Sequence, residues 1–483
     1  MIRWGAVLGN LGRILIIIGV SMFSCLLWSI AYREGVTVAI VEAASITVIT
    51  GIVLSRGFKS YDHISYKEGY LLVSLGWVVA SVFGSLPFMM SGYLPSFADA
   101  FFETVSGFTT TGASVVADVE SWPKSLMFWR CLTQWLGGMG IIALFIAIIA
   151  GIGNRANQLF KAEVPGPISD KISPRIRENA RKLWLSYVLI SVACAAVLLA
   201  LGMNLFDSLC HTFATMATGG FSTKNNSIAY YANPLIHWAI TFFMFIAGTN
   251  FTLHFLAFKQ RKPLLYMRDP EFRLYLCITV IATLLVVFSL GVAGTLTGWE
   301  ERSRAAAFQV VSILTTTGFA TADYNIWPSL AGGVLFLMMF VGGCAGSTGG
   351  NIKPGRYLII GYRILIELKK MVHPKAVLPL RFAGKHISDD LLSNVLQFFF
   401  LYIMFLALGT ISMNAVGMDI FSALTAAAAC IGNIGPGFGL VGPTQNFGFV
   451  SDLGKYVLSI LMLVGRLEIY PILVLLLPEY WKD

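Results

Sequence analysis

Hydrophobic residues along this chain gather into long runs, separated by short polar stretches that hold most of the charge. A helix needs about 20 apolar residues to cross the hydrocarbon of a bilayer. Runs of that kind fall at roughly 14–32, 35–54, 68–91, 125–152, 183–203, 234–257, 272–293, 328–352, 392–413 and 454–477. The pattern predicts an all-α polytopic membrane protein with ten transmembrane helices. The first run follows Arg3 and Arg13, as the apolar part of a signal peptide would. It is too long for that part, and no small-x-small cleavage site follows, so it reads as a retained helix.

The connections are of two kinds. Arg56, Lys59 and Lys67 share one, and Arg155, Lys161, Lys171, Arg175, Arg177, Arg181 and Lys182 share another. Lys259, Arg261, Lys262, Arg268 and Arg273 belong to a third, and 353–385 forms a fourth basic stretch. If all ten runs span, these loops lie on one side together with both termini. Basic loops are retained on the cytoplasmic side, which orients the chain. The opposite connections, about 92–124, 204–233, 294–327 and 414–453, are mildly apolar. Each holds a short helical stretch and then a Gly/Thr turn, the pattern of a re-entrant pore loop.

Aligning these four segments exposes an internal repeat. The first contains Thr109-Thr110-Thr111-Gly112, the second Ala217-Thr218-Gly219-Gly220, the third Thr315-Thr316-Thr317-Gly318, the fourth Gly432-Asn433-Ile434-Gly435. Ser-x-x-Thr-Thr-Thr-Gly is shared without a gap by the first and third. One such turn is an ordinary helix end, since glycine commonly follows the last helical residue. Four at matched places between apolar runs describe a span–pore helix–span unit repeated around a pseudo-fourfold pore. An ion entering a pore exchanges hydration water for protein oxygens. Backbone carbonyls and threonine hydroxyls provide them, and glycine lets successive carbonyls face one axis. The candidate ion ligands are therefore Thr110, Thr111, Gly112, Thr218, Gly219, Gly220, Thr316, Thr317, Gly318, Asn433, Ile434 and Gly435. The repeats divide the chain into 1–60 (two extra helices), 61–153, 154–258, 259–372 and 373–483.

Composition narrows the function. Of 483 residues 56% are hydrophobic and 12% charged, with mean hydropathy +0.74. A soluble domain carries about 25% charged residues. The net charge of +9 sits in the one-sided loops and does not imply nucleic acid. Those loops suit a cytoplasmic partner or anionic lipid equally. The cysteines Cys25, Cys131, Cys194, Cys210, Cys277, Cys344 and Cys430 are scattered in or beside apolar runs and read as core residues. No H-E-x-x-H, no G-x-S-x-G and no paired intramembrane carboxylate is present, so an enzyme is not indicated and no catalytic or cofactor-binding residue is assigned. Four short repeats of one orientation also disfavour a transporter built from two inverted halves.

Beyond the repeats, Gly342, Gly343, Gly346, Gly349 and Gly350 crowd one stretch of the eighth run. Each costs a helix about 1 kcal/mol relative to alanine, so a break is expected there. It reads either as a mobile gate or as close helix packing through Gly342-x-x-x-Gly346. Arg466 falls near the middle of the last run, where it either pairs with Glu468 or another span, or faces the pore as a positive barrier. His211 and His254 read as structural hydrogen-bonding groups. Glu103 reads as a brace of the filter or a cation attractor. Asp118, Glu120, Glu300, Glu301 and Asp323 either attract cations at the outer face or are simply solvated.

Particular stretches make the comparison specific: Trp135-Leu-Gly-Gly-Met-Gly140, Gly248-Thr-Asn-Phe-Thr-Leu-His254, Gly342-Gly-Cys-Ala-Gly-Ser-Thr-Gly-Gly350, Pro374-x-Ala and Gly465-Arg-Leu-Glu468. Over essentially its whole length the chain resembles TrkH-type proteins of the Trk/Ktr/HKT superfamily. The two extra helices suit TrkH better than KtrB. The resemblance implies potassium as the transported ion and a filter with one glycine per repeat, here Gly112, Gly219, Gly318 and Gly435. It implies an intramembrane gating loop at 342–350 and an arginine below the filter at Arg466. It further implies a homodimer in the bacterial inner membrane, controlled by a TrkA-type cytoplasmic subunit that binds NAD or ATP. Asn433-Ile434 and Ala217-Thr218 depart from Thr-Thr, which implies moderate selectivity over sodium or rubidium. Channel-like flux and proton- or sodium-coupled symport both remain open.

Overall fold

In lipid, backbone N–H and C=O groups find no water, so an apolar run must satisfy them internally as a helix. The computed structural model describes residues 2–58, 65–152, 176–376, 381–382 and 385–482. Among them the long apolar runs are helical: Trp4–Phe23 with Cys25–Ala31, Thr37–Gly57, Tyr66–Gly84 with Leu86–Met90, Lys124–Ile152, Ile176–Ala200, Pro270–Val292 and Asp389–Ala415. Among the described residues six helices are long and apolar enough to cross a membrane, or up to eight if each of two sharply bent pairs is one span. Leu27, Val38, Phe242, Phe288, Phe400 and Ile411 face outward, each more than half exposed. In water such a surface would drive association; lipid solvates it. Besides helices the described residues hold one two-residue antiparallel ladder, Arg381↔His386 and Phe382↔Lys385, a small departure from an all-helical chain. Lys59, Arg155, Lys161, Lys171 and Arg175 lie outside the described residues.

Four short helices occupy the outer connections: Phe97–Phe108, Leu205–Met216, Trp299–Leu314 and Ile420–Ile431. Local chemistry starts two of them. Asn204 accepts from the Asp207 amide, and Asp419 accepts from the amides of Phe421 and Ser422. Such caps satisfy N–H groups that the first turn leaves free. Each begins exposed, at Phe97, Leu205, Trp299 and Ile420, and is mostly buried toward its C-terminal end.

Three expected spans are interrupted. The run at 234–257 is two helices, Pro234–Ala247 and Phe251–Gln260, meeting at 97°. The run at 328–352 is helical only over Ser329–Met338, and helix resumes at Pro354–Val372. The last run is Asp452–Arg466 and Tyr470–Leu476, bent by 115°. Arg466 therefore ends a helix at a bend instead of occupying the middle of a straight span. Glu468 and Ile469 have φ of +54° and +70°, which stops the helix there. These bends are stabilised from outside the helices. In the break at 248–250, the Gly248 carbonyl accepts from the Cys344 amide (2.8 Å) and the Phe251 amide donates to the Gly346 carbonyl (3.0 Å). The irregular stretch from the eighth run thus threads the gap in the sixth.

Candidate functional site

Each short helix ends in the same turn. The second residue past the helix is left-handed: Thr110 (φ +55°), Thr218 (+53°), Thr316 (+60°) and Asn433 (+54°). Two residues later comes a glycine, also left-handed: Gly112 (+86°), Gly220 (+76°), Gly318 (+81°) and Gly435 (+100°). This register corrects the alignment in the second segment. Gly220, not Gly219, is the counterpart of Gly112, Gly318 and Gly435, and Gly219 stands where the others have Thr111, Thr317 and Ile434. In each turn the residue before that glycine donates its amide back into the short helix, to Ser106, Ala214, Ser312 and Ala429 respectively, at 2.8–2.9 Å.

The four turns meet. A methyl group added to Gly112 would collide with the carbonyl oxygen of Gly219. One on Gly220 would meet that of Thr317, one on Gly318 that of Ile434, and one on Gly435 that of Thr111. The segments therefore close in the order one, two, three, four and back to one. Left-handed φ and close approach both require glycine at these positions. All four glycines line a single open mouth of about 130 Å³, which Arg130 and Lys224 also line. Asp118, Glu120, Glu300, Glu301 and Asp323 do not line it. Asp118 and Glu120 bind Asn225 instead, and Glu300 binds Arg304 and Trp238.

Side chains brace the turns from behind. The Thr109 and Thr111 hydroxyls pair at 2.8 Å, as do those of Thr315 and Thr317. Asn433 donates to the Thr111 hydroxyl and the Met462 carbonyl, both at 2.9 Å, and its Oδ1 has no partner among the described residues. Glu103 accepts from Arg130 Nε (2.5 Å), the Ser114 hydroxyl (3.0 Å) and the Val115 amide (2.9 Å). A buried carboxylate so placed holds the strand beyond Gly112, which favours the brace reading. His211 joins the Asp207 carbonyl (2.7 Å) and the Ser222 hydroxyl (3.0 Å), and His254 joins Tyr266 and the Ile246 carbonyl. Both histidines serve structural roles, as expected.

The stretch 341–353 lies against the other end of the turns. The Gly350 amide donates to the Thr316 hydroxyl at 2.7 Å, and the Thr348 hydroxyl reaches the carbonyls of Met216 (3.0 Å) and Ala247 (3.2 Å). Gly350 sits so close to the Gly432 carbonyl that a Cβ would lie 2.7 Å from it. Segments two, three and four are thereby all touched by one loop. Gly342, Gly343 and Gly349 lie inside this packing, and Gly346 takes φ +74°. Arg466 Nη1 donates to the Thr348 carbonyl at 2.9 Å. Glu468 pairs with Arg356 at 2.6 Å instead of with Arg466.

Some residues of this site carried no visible signal in the sequence. Glu271 accepts from the amides of Ala345 and Gly355, both at 3.0 Å. Asn351 donates to the Met339 carbonyl (2.5 Å) and accepts from the Tyr402 hydroxyl (3.0 Å). Lys353 places its ammonium on the Gly349 and Gly350 carbonyls. Asn351 and Lys353 merely adjoin the glycine-rich break, and Glu271 lies far from it in the chain.

A lipid-facing helical body around a ring of four convergent backbone turns defines a membrane transport protein. Comparison with known proteins makes this specific. The family described as TrkH, cation transport protein, matches residues 37–482, and the chain belongs to that family of transporters, which are not enzymes. It is 38% identical over 486 residues to the Trk system potassium uptake protein TrkH of Vibrio parahaemolyticus, covering 100% of both chains. To the protein of the same name from Escherichia coli K12 it is 39% identical over 479 residues, covering 98% of each. The crystal structure of the potassium transporter TrkH from Vibrio parahaemolyticus superposes with a TM-score of 0.91 at 36% identity, covering 100% of both chains.

Proposed function

We propose that this chain takes up potassium across a bacterial inner membrane, through a filter formed by Gly112, Gly220, Gly318, Gly435 and the residues before them. The observation that carries the reading is the closed ring of left-handed glycines, each against the carbonyl of the next segment. A ring of backbone carbonyls replaces the hydration shell of a dehydrated cation. Ten spans and four pore repeats, with boundaries at 61–153, 154–258, 259–372 and 373–483, are the architecture that suits it. The stretch 342–350 acts as a gate, since it packs under three of the four segments, and Arg466 adds a positive charge at the same level. The assembly is a homodimer controlled by a TrkA-type cytoplasmic subunit that binds NAD or ATP, docked on the basic face.

The test is potassium uptake in cells lacking their own uptake systems, with and without such a subunit. Saturable uptake that the subunit stimulates is the expected result. Uptake that follows the sodium or proton gradient would favour ion-coupled symport. Equal uptake of sodium and rubidium would replace the reading with a less selective cation transporter.

A further inference from the structure

The residue before the left-handed glycine differs among the turns: Thr111, Gly219, Thr317 and Ile434. Three of these have a side chain and the second does not. Its space is filled from another segment. Gln134, on helix Lys124–Ile152, donates from Nε2 to the Gly219 carbonyl at 2.6 Å. Its Oε1 accepts from the Phe221 amide at 3.1 Å. An amino group facing a carbonyl and a carbonyl facing an N–H leave only one orientation for the carboxamide. The side chain is completely buried. A Cβ on Gly219 would run into this carboxamide, and Gly219 is not among the left-handed glycines. Gly219 is thus a glycine because of Gln134, not because of its own backbone.

Neighbouring contacts follow the same logic. One helical turn earlier, Arg130 donates from Nη1 to the Ser222 carbonyl at 3.2 Å. A single helix therefore grips the second strand at residues 219, 221 and 222. The next repeat offers a comparison. Gly138 packs on Ala217, the first turn residue of segment two, as Gly248 packs on Thr315, the first turn residue of segment three. Four positions before Gly138 is Gln134; four before Gly248 is Met244, an apolar buried residue. Segment three has Thr317, whose hydroxyl is held by Thr315. The polar residue on the helix occurs where the turn lacks a side chain of its own.

We propose that Gln134 is a specificity-determining positioning residue. It stands in for the side chain that segment two lacks and holds the Gly219 carbonyl in the ring. The inference rests on the ring being the potassium filter. Discrimination between cations of one charge depends on the number, direction and stiffness of the carbonyl dipoles around the ion. Without Gln134 the Gly219 carbonyl loses its one side-chain partner, and two consecutive glycines leave segment two the most compliant of the four.

The experiment measures potassium-over-sodium selectivity of purified protein in vesicles, normalised to correctly assembled protein. Gln134→Ala, and Gln134→Met to match Met244, should each lower selectivity about tenfold, the size of losing one ordering hydrogen bond. Gly219→Thr alone should also lower it, because the new side chain collides with Gln134. The double change Gln134→Ala with Gly219→Thr should recover selectivity, since the turn then carries its own side chain in the vacated space. A residue with only a bulk packing role would change yield without this reciprocal recovery. Gly220→Ser serves as the control for the filter itself. Unchanged selectivity in both Gln134 variants, with a loss in Gly220→Ser, overturns the proposal and leaves the filter standing. Unchanged selectivity in Gly220→Ser as well overturns the filter reading and this inference with it.

Discussion

Arg466 is bound to the Thr348 carbonyl through Nη1, at 2.9 Å, while its Nε and Nη2 have no hydrogen-bond partner among the described residues. The guanidinium is buried, with 6% of the residue exposed. A buried, incompletely bonded charge is costly and opposes a second cation nearby. One hydrogen bond therefore ties the end of the helix Asp452–Arg466 to the loop beneath the ring.

Replacing Arg466 by alanine removes both the tether and the charge. Uptake per folded protein should rise about fivefold, the factor for lowering a barrier by ~1 kcal/mol. Its natural partner for a structural pair, Glu468, is already taken by Arg356. The chromatographic yield of assembled protein should accordingly hold. Falling yield and falling flux together would mark Arg466 as a structural charge.

Deleting residues 346–350 removes the Gly350 and Thr348 contacts that close off segments two, three and four. The shortened loop can no longer cross under the ring. The expected protein leaks potassium in the absence of the regulatory subunit and responds little when it is added. A folded deletion variant with wild-type flux and wild-type regulation would exclude the gate.

Gly112→Ser and Gly318→Ser each place a side chain where φ exceeds +80° and a neighbouring carbonyl fills the space. Such a residue costs on the order of 1–3 kcal/mol, and the ring must distort to accept it. Potassium-over-sodium selectivity should fall in both, while the helical circular dichroism stays at its usual value. Equal discrimination before and after substitution would remove these glycines from the filter.

Orientation can be checked chemically in a cysteine-free background. A membrane-impermeant thiol reagent applied outside should label Gln445→Cys, which lines the open mouth. It should miss Lys375→Cys, which lies in the basic stretch after Pro354–Val372. Labelling of the second site from outside would invert the proposed topology.

Much of this architecture is local and was therefore legible in the sequence. Apolar runs must become helices in lipid whatever they pack against. Three threonines and a glycine behind a short helix specify the same turn twice, at Thr109–Gly112 and Thr315–Gly318, because helix ending and left-handed φ are properties of a few consecutive residues. The crowding of glycines at 342–350 foretold a break for the same reason. What depended on distant partners could not be read. Of two adjacent glycines the sequence alignment took Gly219; the left-handed φ of Gly220 and its contact with the Thr317 carbonyl select the other. The bends at 248–250 and 467–469 exist because residues of other segments receive the freed backbone groups and side chains, Cys344 and Gly346 at the first and Arg356 at the second. Gln134 carried no signal of its own in the sequence. Its meaning came from Gly219, 85 residues away in the chain and 2.6 Å away in space. Sequence periodicity constrains which elements form; which carbonyl meets which side chain is decided only when the four segments close on one another.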